Sequence, residues 1–151
     1  MIENRRLLAE YEEFYRSRIA GFGNAEIVGS GSVLGVRESR RILGDYVLGS
    51  DDYVARRDFP DEIGRYNFPA DIHPARPGKE EVIAHKRLFR SFRCGKGESY
   101  GIPYRILLPR TLENVLTAGR CVSTDRGMHG SIRVQAGCFI TGQAAGMAAA
   151  L

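Results

Sequence analysis

The stretch from Gly130 to Leu151, GSIRVQAGCFITGQAAGMAAAL, constrains this chain more than any other. Its second part has the alanines of a helix, yet Gly142 and Gly146 stand four residues apart, with Thr141, Ala145 and Ala149 on a neighbouring face. A glycine inside a helix costs about 1 kcal/mol relative to alanine. That cost is offset where small side chains let another backbone, or a flat ligand, come close. No apolar span of roughly 18 residues surrounds the pair, which excludes a membrane dimer face. The beginning of the helix, from Arg133 to Ala136, presents unpaired backbone N–H groups and the positive end of the helix dipole. Such an end attracts an anion or the electron-rich edge of a ring.

The rest of the composition narrows what such a helix belongs to. With 151 residues, 43% hydrophobic and 26% charged, the chain has a globular balance and single-domain length. Its net charge of +4 is spread from Arg5 to Arg133 rather than gathered in one tract, so no nucleic-acid partner is expected. No apolar run approaches the roughly 20 residues of a membrane span, and MIENRRLLAEYEE has no signal core, so no membrane partner and a cytoplasmic location are expected. Cys94, Cys121 and Cys138 are odd in number and far apart. They predict no disulfide framework, no metal site and no iron–sulfur cluster held by this chain alone.

Along the chain, Leu7, Leu8, Tyr11, Phe14, Tyr15 and Ile19 recur at three- and four-residue steps and predict an amphipathic helix from Ile2 to about Ala20, closed by Gly21 and Gly23. Residues 24–110 carry short apolar runs, AEIV, DYVLG and PYRILLP, between glycine, proline and acidic turns, and predict mostly β structure. One short helix is expected after Ser50, with Ser50 as its cap and Asp51 and Asp52 at its positive end. HPARPGKEE reads as a surface loop. NVLTAG then reads as a short buried strand, CVSTDRGMHGS as a polar loop, and the small-residue helix closes the pattern: strand, loop, helix, an α/β signature. AEIVGSGSVLGVRESRRIL imitates a dinucleotide-binding turn, but Gly29, Gly31 and Gly35 make G-x-G-x-x-x-G, one residue too long, and the following run meets Gly44 too early for a crossover helix.

Three places carry side chains suited to chemistry. In GVRESRRILGDY, Arg37 and Glu38 would point to opposite faces of a strand, and an inward arginine beside a glutamate can clamp a carboxylate or balance an anionic cofactor. In PADIHP, His73 stands between Ile72 and Pro74 with Asp71 two residues before it, whereas His85 lies in a charged segment and His129 in the glycine-containing loop. In YGIPYRILLP, Pro103 predicts an edge or bend beside Tyr104 and Arg105.

Together, GVRESRRILGDYVL, FPDEI, DIH, YGIPYRILLP and NVLTAGRCVSTDRGMHGSIRVQAGCFITGQAAGMAAAL resemble, in order and from about Gly35 to Leu151, FAD-dependent oxidoreductases similar to the A subunit of heterodisulfide reductase. The resemblance implies the C-terminal part of a Rossmann-like FAD-binding flavoprotein: α/β as a class, α+β in isolation, with a mostly antiparallel β segment on the substrate side. It implies flavin-side positions at Gly119, Arg120, Ser131, Arg133, Val134 and Gly142, and substrate-side candidates at Arg37, Glu38 and His73. Gln135 and Ala136 stand where relatives commonly have a proline. Relatives are often associated with iron–sulfur clusters, for which no ligand motif is present here.

On this reading residues 1–23 form a helix that packs on a missing N-terminal FAD-binding domain, 24–110 form the substrate-side region, and 111–151 form the closing strand, loop and helix. The chain is expected to be a fragment, inactive alone, of an enzyme that transfers hydride between a small-molecule substrate and FAD. The contrasting expectation is a self-contained, non-catalytic binding or interaction module.

Overall fold

The computed structural model describes residues 2–33, 35–73, 78–88, 90 and 92–151, and its contacts fall into two units, Met1–Val36 and Arg37–Leu151. In the first unit, α1 runs from Ile2 to Arg18. Gly21, at φ +89°, takes the left-handed conformation that ends a helix without a Cβ clash. The chain then folds back so that Phe22 meets Tyr15, with ring centroids 5.4 Å apart, and Arg16 donates to the Gly23 carbonyl at 3.3 Å. Leu7, Tyr11, Phe14, Tyr15 and Ile19 nevertheless stay exposed. The Gly29–Gly31 turn is exposed and opens no helix, as its spacing predicts.

The second unit is organised around the buried segment Val122–Thr124. Ser123 donates its N–H to the Ile106 carbonyl and accepts from Leu48, while Ile42 donates to Cys121 and Asp125 to Leu48, each at 2.9–3.1 Å. Three distant parts of the chain thus share one backbone spine. Gly44 fits against it only because it lacks a Cβ, which would lie 2.8 Å from the Ser123 Cβ and 3.0 Å from the Leu108 carbonyl. Leu48, Tyr53, Tyr100, Ile102, Ile106, Leu107, Val122, Met128 and Ile132 close the core around the spine.

Two helices start at one carboxylate on the spine. Asp125 is the N-cap of α4 (Arg126–Ile132) and accepts the Met128 N–H at 2.6 Å, while its other oxygen accepts the Ser50 N–H at 2.7 Å, at the first residue of α2 (Ser50–Ala55). The cap of α2 is therefore Gly49 rather than Ser50, and Asp52 turns back to accept the Gly49 N–H at 2.9 Å. The loop expected over CVSTDRGMHGS is largely α4, because Asp125 supplies the missing N-terminal acceptor and burial of Met128 and Ile132 outweighs the two glycines.

The fold class is mixed α and β, as the sequence predicts, but among the described residues of 24–110 the strands form one ribbon. β1 (Glu62–Tyr66) pairs antiparallel with β2 (Tyr100–Pro103), with an irregularity between Glu62 and Gly64. AEIV forms no strand and leaves Val28 fully exposed, so it has no apolar face to bury. DYVLG contributes only the bridge from Leu48 to Thr124, and NVLTAG runs without a strand partner, its Thr117 donating to the Leu107 carbonyl at 3.0 Å. Pro103 ends β2 in a 3-10 turn, Tyr104–Leu107. There Arg105 donates to both oxygens of Asp61, at 2.9 and 3.1 Å. In the expected loop HPARPGKEE, Lys79–Glu81 is instead the first turn of α3 (Lys79–Leu88), where two glutamates sit at the positive dipole end; residues 74–77 lie outside the described set. The closing helix, α5 (Gln135–Ala150), lies on β1, with Ile140 over Gly64.

Two measurements check these restraints. Asp125→Ala removes the acceptor for two helix starts and is expected to cost about 2–3 kcal/mol in urea unfolding, twice an ordinary cap; a loss below about 0.5 kcal/mol would contradict the shared cap. For Asp61, burial raises the carboxyl's pKa, but the Arg105 hydrogen bonds outweigh it and leave a net lowering. A lowered folded-state value stabilises the fold above the ordinary carboxylate pKa of about 4, and that contribution disappears as pH falls through the lowered value. Arg105→Met is therefore expected to flatten the acid limb of a melting-temperature profile below about pH 4, by a modest amount because the pair is partly exposed.

Candidate functional site

The turn between α4 and α5 is where the chemistry-bearing side chains meet. Backbone at Ile132–Val134 is held tightly: Arg133 donates its N–H to the His129 carbonyl, and Val134, the N-cap of α5, donates to Ser131. Gly137 permits the turn, since a Cβ there would lie 2.2 Å from the Ile132 carbonyl oxygen. Gly130 permits the next layer, since its Cβ would lie 2.5 Å from Ile72; Asp71 donates its N–H to the Gly130 carbonyl at 3.1 Å. The segment Phe68–His73 is thereby laid along α4.

On this platform Arg133 is the central group. Its side chain is 7% exposed; one nitrogen meets Glu38 at 3.2 Å and the other donates to the Asp71 carbonyl. Arg37 reaches the Asp71 carboxylate at 3.1 Å, and the His73 Nε2 lies 3.4 Å from its second oxygen. Arg37, Glu38 and His73, the three substrate-side candidates, are thus brought together by Asp71 and Arg133. Residues 37–43 form no paired strand, so Arg37 and Glu38 are not held to opposite faces, and both reach this cluster.

The flavin-side candidates differ in their surroundings. Gly119 (φ +73°) begins a 3-10 turn, Gly119–Cys121, and donates its N–H to the Thr141 hydroxyl at 2.9 Å, with Cys138 nearby. Ser131 is fully buried and turned inward, 2.8 Å from the Tyr100 hydroxyl and donating to the Phe68 carbonyl at 2.5 Å, so its side chain holds the platform. At Gly142 an added Cβ would meet nothing within 4 Å, and the same holds for Gly146. Phe139 and Met147 on the same helix are exposed. The side chain of Arg133 points to Glu38 and Asp71, while Arg120 offers its carbonyl to His129.

His129 is the member of the site that sequence reasoning left in a loop. It is fully buried, and its Nε2 lies 2.8 Å from the Arg120 carbonyl. A carbonyl only accepts, so Nε2 carries the proton. Nδ1 then faces Glu38 at 3.5 Å, within electrostatic reach but without a hydrogen-bond partner among the described residues. A buried, orphaned nitrogen beside a carboxylate is a place where a proton can be held. Its only sequence signal is its position four residues after Asp125, one helical turn from the cap. Asp71, the aspartate flanking His73 in PADIHP, lies against the His73 ring and also takes Arg37.

Electrostatics around the start of α5 favour neutral side chains and exposed donors. Burial raises the pKa of Cys138, with Arg120 partly offsetting it, so the thiol stays protonated and donates to the Arg133 carbonyl at 3.3 Å. Burial likewise raises the Tyr66 phenol, with the nearby Gly137 N–H opposing. Gln135 and Ala136 are exposed, and their N–H groups have no acceptor among the described residues. This donor set fits the electron-rich edge of a flavin ring. No group of three or more His, Cys, Asp or Glu among the described residues is placed to hold a metal, and all three cysteines are free. No helix among them is long and apolar enough to cross a membrane.

A family model described as FAD dependent oxidoreductase matches residues 1–151, and the chain belongs to that family. The mixed helix and small antiparallel sheet described above fit part of a Rossmann-like flavoprotein. No curated protein and no solved structure matches the chain.

The two kinds of glycine in α5 make a paired test. Gly137→Ala is expected to destabilise the chain by about 2 kcal/mol or more, because the added methyl meets backbone that cannot yield. Gly142→Ala, with open space around it, is expected to stabilise by about 0.5–1 kcal/mol through helix propensity. Equal effects of the two in urea unfolding would contradict the packing described.

Proposed function

We propose that the chain is the substrate-side and closing part of an FAD-dependent oxidoreductase of the heterodisulfide reductase A-like group, working on a small molecule in the cytoplasm. The observation that carries this reading is the convergence of Arg37, Glu38 and His73 on Asp71 and Arg133, directly before a helix start where Gln135 and Ala136 are exposed and their N–H groups have no acceptor among the described residues. Bound FAD would supply hydride exchange at its N5 position.

The chain's own residues set the conditions for that exchange. The Gln135 and Ala136 N–H groups would hold an electron-rich ring edge of the flavin, an arrangement that would favour its reduced form. Gly119, Arg120 and Val134 bring backbone to the ring, and Ser131 and Arg133 fix the turn that presents it. Arg37 orients an anionic group of the substrate, its hold on Asp71 leaving the guanidinium partly exposed. His73, largely exposed, holds a proton at its imidazole with Asp71 behind it, and Glu38 keeps Arg133 and His129 in register.

An FAD-binding domain outside this sequence completes the cofactor site in this reading. Exposed Phe139 and Met147 beside the open Gly142 and Gly146, together with the exposed aromatics of α1, support such a domain as their cover. Without it the chain is expected to be inactive.

The test joins the chain to a dinucleotide-binding domain of the same family and follows flavin fluorescence and absorbance. Quenching on joining, little quenching by the chain alone, and at least tenfold weaker FAD binding in Gly142→Leu are the expected results. Gly142→Leu adds a side chain into open space, so its circular dichroism should match the parent chain. FAD binding that ignores Gly142→Leu would remove the proposed role of that face.

A further inference from the structure

The Phe68–Asp71 segment also forms one wall of a cleft of about 760 Å³, whose opposite wall carries Lys86 of α3 and, beyond it, Arg90 and Arg93. The Phe68–Asp71 wall and the Phe92–Arg93 end of the other wall are tied to the core. Phe92 is buried with its ring centroid 5.3 Å from that of Tyr53, whose hydroxyl donates to the Phe92 carbonyl at 3.1 Å; Arg56 donates to the Arg93 carbonyl at 2.7 Å. Across the cleft, Ser131 and Gly130 hold the carbonyl of Phe68 and the N–H of Asp71.

The charges on these walls do not cancel. Lys86, Arg90 and Arg93 are exposed, and none makes an ion pair among the described residues. Asp71 is the acidic group lining the cleft, and its carboxylate is already engaged by Arg37 and His73. Three cations lining one cleft, with the local carboxylate occupied, raise the concentration of small anions there. Phe68 adds an aromatic edge, its ring centroid 6.2 Å from that of Tyr66.

We propose that this cleft is the substrate subsite, and that it takes a small molecule with two or more anionic oxygen groups, held by Lys86, Arg90 and Arg93. Asp71 joins the cleft to Arg37 and His73, so an anion seated there lies beside the groups assigned to the substrate. The word substrate rests on the flavoprotein reading; the anion site itself does not.

The probe is succinate, with uncharged succinamide as its control, titrated into the flavin-free chain by calorimetry and by NMR shift changes. Expected are saturable succinate binding that weakens steeply with salt, no binding of succinamide, and at least a tenfold rise in Kd in the double variant Arg90→Gln/Arg93→Gln. Arg110→Gln, an exposed arginine outside the cleft, should leave Kd unchanged. Both variants change exposed side chains, and matching circular dichroism checks that the fold is kept. Absence of saturable binding, or equal weakening by Arg110→Gln, would overturn the anion site. Displacement of succinate by FAD would assign the cleft to the cofactor's diphosphate and overturn the substrate role. Because the first titrations contain no flavin, their failure is separate from any failure of FAD to bind.

Discussion

A single carboxylate, that of Asp125, sets the geometry on which the rest of the second unit depends. One oxygen accepts from the first turn of α4 and the other from the first residue of α2, which is 75 positions away in sequence. Two helix starts need acceptors for their orphan N–H groups, and sharing one acceptor forces both helices to begin at the same point. The Val122–Thr124 spine delivers the carboxylate there, bonded on either side to Leu48 and Ile106. Everything downstream, including the turn into α5, inherits its position from that junction.

The candidate site is therefore not an appendage to the fold. Met128 and Ile132 bury into the core from α4, while His129 and Arg133, on the same helix or just beyond it, point to Glu38. Three and four residues apart on a helix are neighbouring directions, so one element serves packing on one side and charge on the next. A polar cluster assembled this way is rigid because the core is rigid. The groups with freedom are at its rim, where His73 and Arg37 are more than half exposed.

Much of this architecture was legible from the residues, for reasons that differ by element. α1 and α5 announce themselves by periodicity and small-residue spacing, and α2 by its acidic first turn. α4 was hidden because Gly127 and Gly130 look like loop residues, although both are small for a steric reason: a Cβ at either would strike Ser50 or Ile72. The strand readings failed where apolar runs had no neighbour to pair with, as in AEIV, or met one only at an isolated bridge, as in DYVLG. The family motifs put Arg37, Glu38 and His73 into one list, and the fold places them near one another. That they meet through Asp71 and Arg133, and that His129 lies buried beside them, depends on contacts across 34 to 95 residues that no local pattern encodes.

The forked head group of Arg133 has a consequence for which sequences this site tolerates. Its two terminal nitrogens serve different masters, Glu38 on one chain segment and the Asp71 carbonyl on another. A lysine would keep the charge but offers a single nitrogen at the end of a stem, without the planar fork that spans both acceptors. Position 133 is thus bound to arginine by shape rather than by charge. A conservative-looking exchange there would unfasten one of the two segments that carry Arg37 and His73.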